Sequence, residues 1–192
     1  MLTLNKDNFI YRYFSIDPGS NTLGLSIFEL NLLNKRLSII ETNTISGEKN
    51  SRYDLDYIDV HGNKTARLLS HSDTLFNLLV YWNPSAIICE SAYMGRFPQA
   101  YAVLVETISY LKQAAFKYNP YMSFELIDPS TAKKNIKATI KGKDSVKESV
   151  LSLIPNEIDY LGSIPLNQLD EHGFDSISIG YYKYKQIIST MG

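Results

Sequence analysis

The stretch "YRYFSIDPGSNTLGLSIFEL", residues 11–30, constrains this chain more than any other. Two apolar, β-prone runs, 12–17 and 23–30, are separated by only a few Pro, Gly, Ser, Asn and Thr residues. A third run, "RLSIIETNTI" at 36–45, follows after another short connection. Connections that short join antiparallel neighbours, so the chain is expected to begin with a three-stranded meander. Everything that follows must pack on that sheet. The first run closes on an acid, Asp17, followed at once by Pro18, Gly19 and Ser20. A carboxylate at the end of a buried strand costs solvation unless something pairs with it. Either the turn itself satisfies Asp17 through local backbone donors, or a cation or substrate does.

Residues 46–60 are polar and read as a loop. Over 62–82 the apolar positions Ala66, Leu69, Leu75, Phe76, Leu79 and Trp82 fall near helical spacing. "SAIICE", 85–90, is a nearly continuous apolar run that again ends in an acid, Glu90, and reads as a buried central strand. A helix is expected over 98–118, a strand over 123–127, a helix opened by Pro129 and Ser130, and another over 144–154. Pro155 and Pro165 bracket a loop, and a terminal helix covers 170–186. The order is βββ-α-β-α-β-α-α. It defines an α/β fold with a mixed five-stranded sheet, its first three strands antiparallel, and helices on both faces. At 192 residues the natural expectation is one domain spanning 1–192.

Composition removes several classes. No apolar run approaches the roughly 20 residues that a membrane helix needs, and "MLTLNKDNFI" lacks the pattern of a signal peptide. Cys89 is the only cysteine, so there is no intrachain disulfide and no reason to expect structural zinc. That usage fits a reducing compartment and a cytoplasmic location. A net charge of −1 argues against a wholly basic nucleic-acid binder. The average hides a local excess, however. Between 131 and 147, Lys133, Lys134, Lys137, Lys141, Lys143 and Lys147 face the single acid Asp144. Such a run is a solvated helical face or a phosphate-tracking patch, and its position in the fold decides which.

The chemistry-bearing residues are acids. Asp17 and Glu90 end two strands that can be neighbours in a mixed sheet, and the terminal helix offers His172 and Asp175, three apart on one face. Asp170 and Glu171 lie just upstream. Taken singly, each has an ordinary role: a turn, an ion pair, a surface histidine, a helix cap. Together they would repel one another unless a divalent cation held them ionised. Oxygen ligands with at most one imidazole favour Mg²⁺ or Mn²⁺ over zinc. Two such ions can activate a water and stabilise the leaving oxygen of a phosphodiester.

Three segments, in order, resemble the RuvC-type Holliday junction resolvases. "IDPGSNTLGLSIFE" resembles the first motif of that family. "AIICESAYMG" is similar to the second, a strand ending in Glu followed by an aromatic and Met. "HGFDSISIGYY" is similar to the last, a helix with two metal-binding positions three apart. The resemblance spans about residues 12–186 and implies an RNase H-like fold. It assigns Asp17, Glu90 and Asp175 as metal ligands, with His172 where many members carry Asp and Asp170 or Glu171 as a possible substitute. It gives Tyr93 the role of stacking on an exposed base. It also gives the lysine run DNA contacts, with Lys147 matched by spacing, either Lys133 or Lys137 as its partner, and Lys143 between them. The small size and variant motifs resemble a phage or viral member more than a bacterial housekeeping one, and a phage-encoded member would act in the host cytoplasm.

The resemblance thus implies an Mg²⁺-dependent endonuclease, with two ions per site and Mn²⁺ substituting. It would act as a homodimer on four-way DNA junctions, making paired symmetric nicks that leave 5′-phosphate and 3′-hydroxyl ends. One rival is a broader nuclease on the same fold, cutting forks and flaps. A second is a branch-binding protein without cleavage. A third, from another class, is an actin-like or sugar-kinase ATP-binding domain, whose phosphate loop also reads Asp-x-Gly-Ser before a hairpin. Those enzymes need a second similar half, and no second Asp-x-Gly motif occurs here.

Overall fold

A computed structural model describes residues 9–48, 53–95, 97–138 and 143–191, without the side chains of Lys143 and Asp144. The expected meander is present as β1 (Ile10–Asp17), β2 (Thr22–Asn31) and β3 (Leu37–Ser46). Both of its pairings are antiparallel. β4 (Ala86–Glu90) joins β1 in parallel, and β5 (Ser123–Ile127) joins β4 in parallel. Among the described residues the sheet has six strands rather than the expected five; with β6 at Ile158–Tyr160, their order is β5-β4-β1-β2-β3-β6. The additional strand, β6 (Ile158–Tyr160), lies in the segment expected to be a loop between Pro155 and Pro165 and pairs in parallel with Leu37–Ile39. Three residues are too few to display a period, so β6 exists because the edge of β3 supplies its hydrogen bonds. Asp159 on β6 also pairs with Arg36, just before β3.

Between β3 and β4 lie α1 (Leu55–His61) and α2 (Asn63–Trp82). α1 corrects the expectation of a loop over 46–60. It has no buried residue, so no apolar stripe announces it, and Asp54 nucleates it by accepting the Tyr57 amide at 2.9 Å. Gly62, at φ 81°, separates the two helices in a conformation that L side chains rarely adopt. α3 (Pro98–Tyr118), α4 (Pro129–Asn135), α5 (Lys143–Leu153), a 3₁₀ turn (Leu166–Gln168) and α6 (Glu171–Met191) complete the order.

The central strands are buried on both faces, and two cores result. On one face Phe14, Ile16, Leu25 and Ile27 pack against Leu75 and Leu79 of α2 and Leu111 and Ala115 of α3. On the other, Tyr13, Phe28 and Ile39 meet Ala132 of α4, Val150 of α5, and Phe174 and Ile177 of α6. α6 is nearly buried from Phe174 to Tyr181 and lies across β1, β2 and β3. Its approach depends on Gly180, where a Cβ would sit 2.0 Å from the Phe28 ring. Tyr13, stacked on Phe28 at 5.1 Å, donates its hydroxyl to the Gly180 carbonyl at 2.8 Å. The start of α6 is thereby laid over the C-terminal end of β1.

Candidate active site

β1 and β4 are parallel neighbours in register up to Ile16 and Cys89. Asp17 and Glu90 are the next residue on each, so the two acids stand at adjacent strand ends, as expected. Asp17 also pairs with Gly24 of β2. At Gly24 a Cβ would lie 2.2 Å from the backbone oxygen of His172, so only glycine lets α6 come this close. His172 reaches back: its Nδ1 lies 2.8 Å from Asp17 Oδ2, and its Nε2 lies 2.9 Å from Thr22 Oγ1. With Nδ1–H donating to Asp17, Nε2 accepts from the Thr22 hydroxyl, and both ring nitrogens are engaged. That bond to Asp17 is the main cause holding the imidazole pKa above its ordinary value. For His172 to ligate an ion, one of these two bonds must be exchanged for it.

Asp175 lies almost one turn further along α6. Burial is the main cause that lifts its carboxyl to about 6, with the charge of Asp17 adding to it. Glu90 is lifted further, to about 8, first by burial and then by Asp17 and Asp175. Lys133 opposes both shifts. The acids thus sense one another electrostatically. Among the described residues, however, no three His, Cys, Asp or Glu side chains already converge as an ion-binding cluster. The fit to a divalent cation therefore rests on the donor chemistry. It consists of three carboxylates and one imidazole, two of the acids forced towards protonation by burial and mutual repulsion. A bound cation removes that penalty.

A cleft of about 610 Å³ opens here. Asp17, His172 and Asp175 line it together with Lys133 and Lys147, and Leu169 and Phe174 are among its apolar walls. Glu90 does not line it. Asp170 and Glu171 do, but Asp170 caps α6. Its Oδ1 accepts the Gly173 amide at 3.0 Å and a hydroxyl bond from Thr44. Lys147 lies 5.6 Å over the Phe174 ring. Lys137 is exposed just past α4, with φ 59°, and does not line the cleft. The Lys143 side chain lies outside the described residues. Tyr93 is 67% exposed in the segment after β4, with Met94 and Phe97 exposed beside it in sequence. An aromatic so exposed has no packing role. Cys89 is buried, which pushes its thiol pKa well up, so it is no nucleophile.

Sequence reasoning missed Thr22, Gly24 and Thr44. The signal was present as small or polar residues at every second position, Thr22-Gly24-Ser26 and Thr42-Thr44, where a buried face otherwise calls for apolar ones.

No protein-family model and no curated protein matches the chain. Solved structures do resemble it. Thermus thermophilus RuvC in complex with a Holliday junction substrate aligns with a TM-score of 0.66 at 15% identity, over 94% of this chain and 97% of that one. The yeast mitochondrial Holliday junction resolvase Ydc2 aligns with a TM-score of 0.67 at 17% identity, over 94% and 81%. The fowlpox virus Holliday junction resolvase gives 0.57 at 17%, over 91% and 99%. The likeness is one of fold: a mixed sheet flanked by helices, shared with these resolvases over nearly the whole chain. Among the described residues, no helix is long and apolar enough to cross a membrane.

Proposed function

We propose that this chain is a structure-selective DNA endonuclease that resolves four-way junctions. The observation that carries the reading is a single juxtaposition. Asp17 and Glu90 stand at adjacent strand ends, His172 of α6 bonds Asp17, and Asp17, His172 and Asp175 line one cleft together with Lys133 and Lys147. The fold in which this occurs is shared with solved junction resolvases.

In this reading Asp17, Glu90 and Asp175, with His172, hold two Mg²⁺ ions, for which Mn²⁺ substitutes. Bound there, the ions supply a nucleophile at neutral pH and offset the charge that develops on the phosphate. The residues of the chain do the rest. Lys133 and Lys147 hold the phosphates on either side of the scissile bond, giving affinity that falls with salt and depends little on sequence. The His172 Nδ1–H orients Asp17 before the ions arrive, with Thr22 fixing the ring from its other nitrogen. Tyr93 stacks on a base exposed at the branch. Two nicks related by a twofold axis require two sites, and a homodimer supplies them. The products are 5′-phosphate and 3′-hydroxyl ends.

The test is cleavage of an end-labelled four-way junction with Mg²⁺, beside linear duplex, fork and flap. Paired symmetric nicks on the junction alone, abolished in Asp17→Asn, are the expected result. Comparable cutting of forks and flaps would replace the reading with a general branch nuclease. Binding without any cut under Mg²⁺ or Mn²⁺ would replace it with a branch-binding protein.

A further inference from the structure

Directly behind the candidate acids runs a row of buried hydroxyls. Ser15 of β1 pairs with Ser26 of β2, which pairs with Thr42 of β3. All three are fully buried, at 0% exposure, on the face that α6 covers. The next row along the same face, towards the strand ends, is Asp17, Gly24 and Thr44. The row in the other direction begins with the stacked rings of Tyr13 and Phe28. The hydroxyl row is thus set between the apolar core and the acids.

Its hydroxyls form a continuous hydrogen-bonded chain onto α6. Ser176 of α6 donates to the Gly173 carbonyl at 2.8 Å. Its Oγ also lies 2.7 Å from Ser26 Oγ, which in turn lies 2.9 Å from Thr42 Oγ1; in each of these hydroxyl pairs either oxygen can donate. Ser15 donates to the backbone carbonyl of the same Ser176 at 2.7 Å. Two strands, β1 and β2, therefore hold one residue of α6, by main chain and by side chain, with Thr42 of β3 behind Ser26. That residue is the neighbour of Asp175 and lies four positions after His172. Apolar contacts such as Phe174 and Ile177 hold the helix against the sheet, but they tolerate sliding and rotation that directional bonds do not.

We infer that Ser26 is a positioning residue: through Ser176, and with Thr42 behind it, it sets the rotation and height of α6 that aim Asp175 and His172 at Asp17. The inference rests on the proposed nuclease reading for its consequence, though the helix placement itself does not.

The decisive experiment compares full-length wild type with Ser26→Ala. It measures junction affinity, turnover at saturating junction and Mg²⁺, thermal midpoint, and amide hydrogen exchange across Glu171–Ser176. The expected result is a fall of about tenfold in turnover with junction affinity within about twofold of wild type. Exchange in the first turns of α6 becomes several-fold faster while the rest of the sheet is unchanged. Unaltered turnover and exchange would overturn the inference. So would affinity, turnover and thermal midpoint falling together, since that marks general loss of structure. If Ser26→Ala does not fold, Thr42→Val, which removes the far hydroxyl at nearly constant volume, is read by the same measures and the same criteria. If wild type itself fails to nick a junction, the nuclease reading fails. Exchange alone then decides: faster exchange confined to the start of α6 sustains the positioning role, and unchanged exchange refutes it.

Discussion

Replacing Gly24 by Ala adds one methyl group and should disable the site. Gly24 does not have a left-handed φ, so the strand conformation itself accepts alanine, and the whole effect is steric. The new Cβ would lie 2.2 Å from the His172 carbonyl oxygen, 2.7 Å from its carbon and 3.1 Å from its Cβ. Two of these are backbone atoms, which cannot rotate away. Contacts below 3.0 Å essentially never occur, so the start of α6 and β2 must separate by about 0.8 Å. That displacement falls on the residue whose Nδ1 sits 2.8 Å from Asp17. Misplacing reacting groups by about 1 Å costs on the order of 10²-fold in rate, and overpacking of this kind costs about 1–3 kcal/mol of stability. The assay is single-turnover nicking of a four-way junction, run beside urea unfolding of the same preparation. Gly24→Ala should nick about a hundredfold more slowly while still binding the junction, and should unfold at lower urea. Wild-type rate together with wild-type stability would refute the argument that glycine is there to admit His172.

Three further outcomes follow from the same geometry. With a folded-state pKa of about 8 against an ordinary 4.5, Glu90 binds a proton more tightly in the native state. At pH 7 the unfolded group is ionised and the native one must take up a proton, which costs about 3 kcal/mol, and the penalty fades as pH falls towards 4.5. Glu90→Gln should accordingly be more stable than wild type in metal-free buffer at pH 7 by urea unfolding, and Mg²⁺ should narrow or reverse the difference; a less stable variant in metal-free buffer would count against buried repulsion at this site. His71 on α2 is fully buried, its ring nitrogens without formed hydrogen bonds, and burial pushes its pKa down to about 4 despite a nearby Ser20 backbone group. The unfolded chain binds the proton that the native state refuses, so this group removes about 3 kcal/mol as pH falls from 6.5 through 4. Subtracting the profile of His71→Gln isolates that term from Glu90 and Asp175, which titrate in the opposite sense, and a flat difference would refute it. Finally, Lys147→Ala should reduce the slope of log affinity against log salt by about one while leaving sequence preference alone, as loss of one phosphate contact does; an unchanged slope would make Lys147 only a partner of Phe174.

Much of this architecture was legible because it is written in short-range pattern. The meander follows from alternating apolar runs joined by short turns, and α2 from helical spacing between Ala66 and Trp82. The ends of β1 and β4 follow from acids that close apolar runs. What escaped detection has a physical reason in each case. α1 buries nothing, so it carries no periodic stripe and is held by the cap at Asp54. β6 is a three-residue strand created by the free edge of β3. Asp170, weighed as a ligand, faces the Gly173 amide, a capping role that depends on where α6 begins.

Residue order alone dictates which chemistry is available: acids at strand ends, an imidazole and an acid three apart on one helix, a lysine-rich segment, and an aromatic beyond the second acid. Those are properties of local order and residue type, and they survive without knowledge of any long-range contact. Long-range packing sets which of these groups meet. The parallel register of β1 and β4 sets Asp17 beside Glu90, 73 positions apart in the chain. Gly24 and Gly180 decide how closely α6 can descend, and the hydroxyls of Thr22 and Ser26 contact its His172 and Ser176. The division has a simple cause. Strand and helix patterns are enforced within a few residues. The distance between two carboxylates on different elements is enforced by close packing and directional hydrogen bonds between residues that the chain order does not bring together.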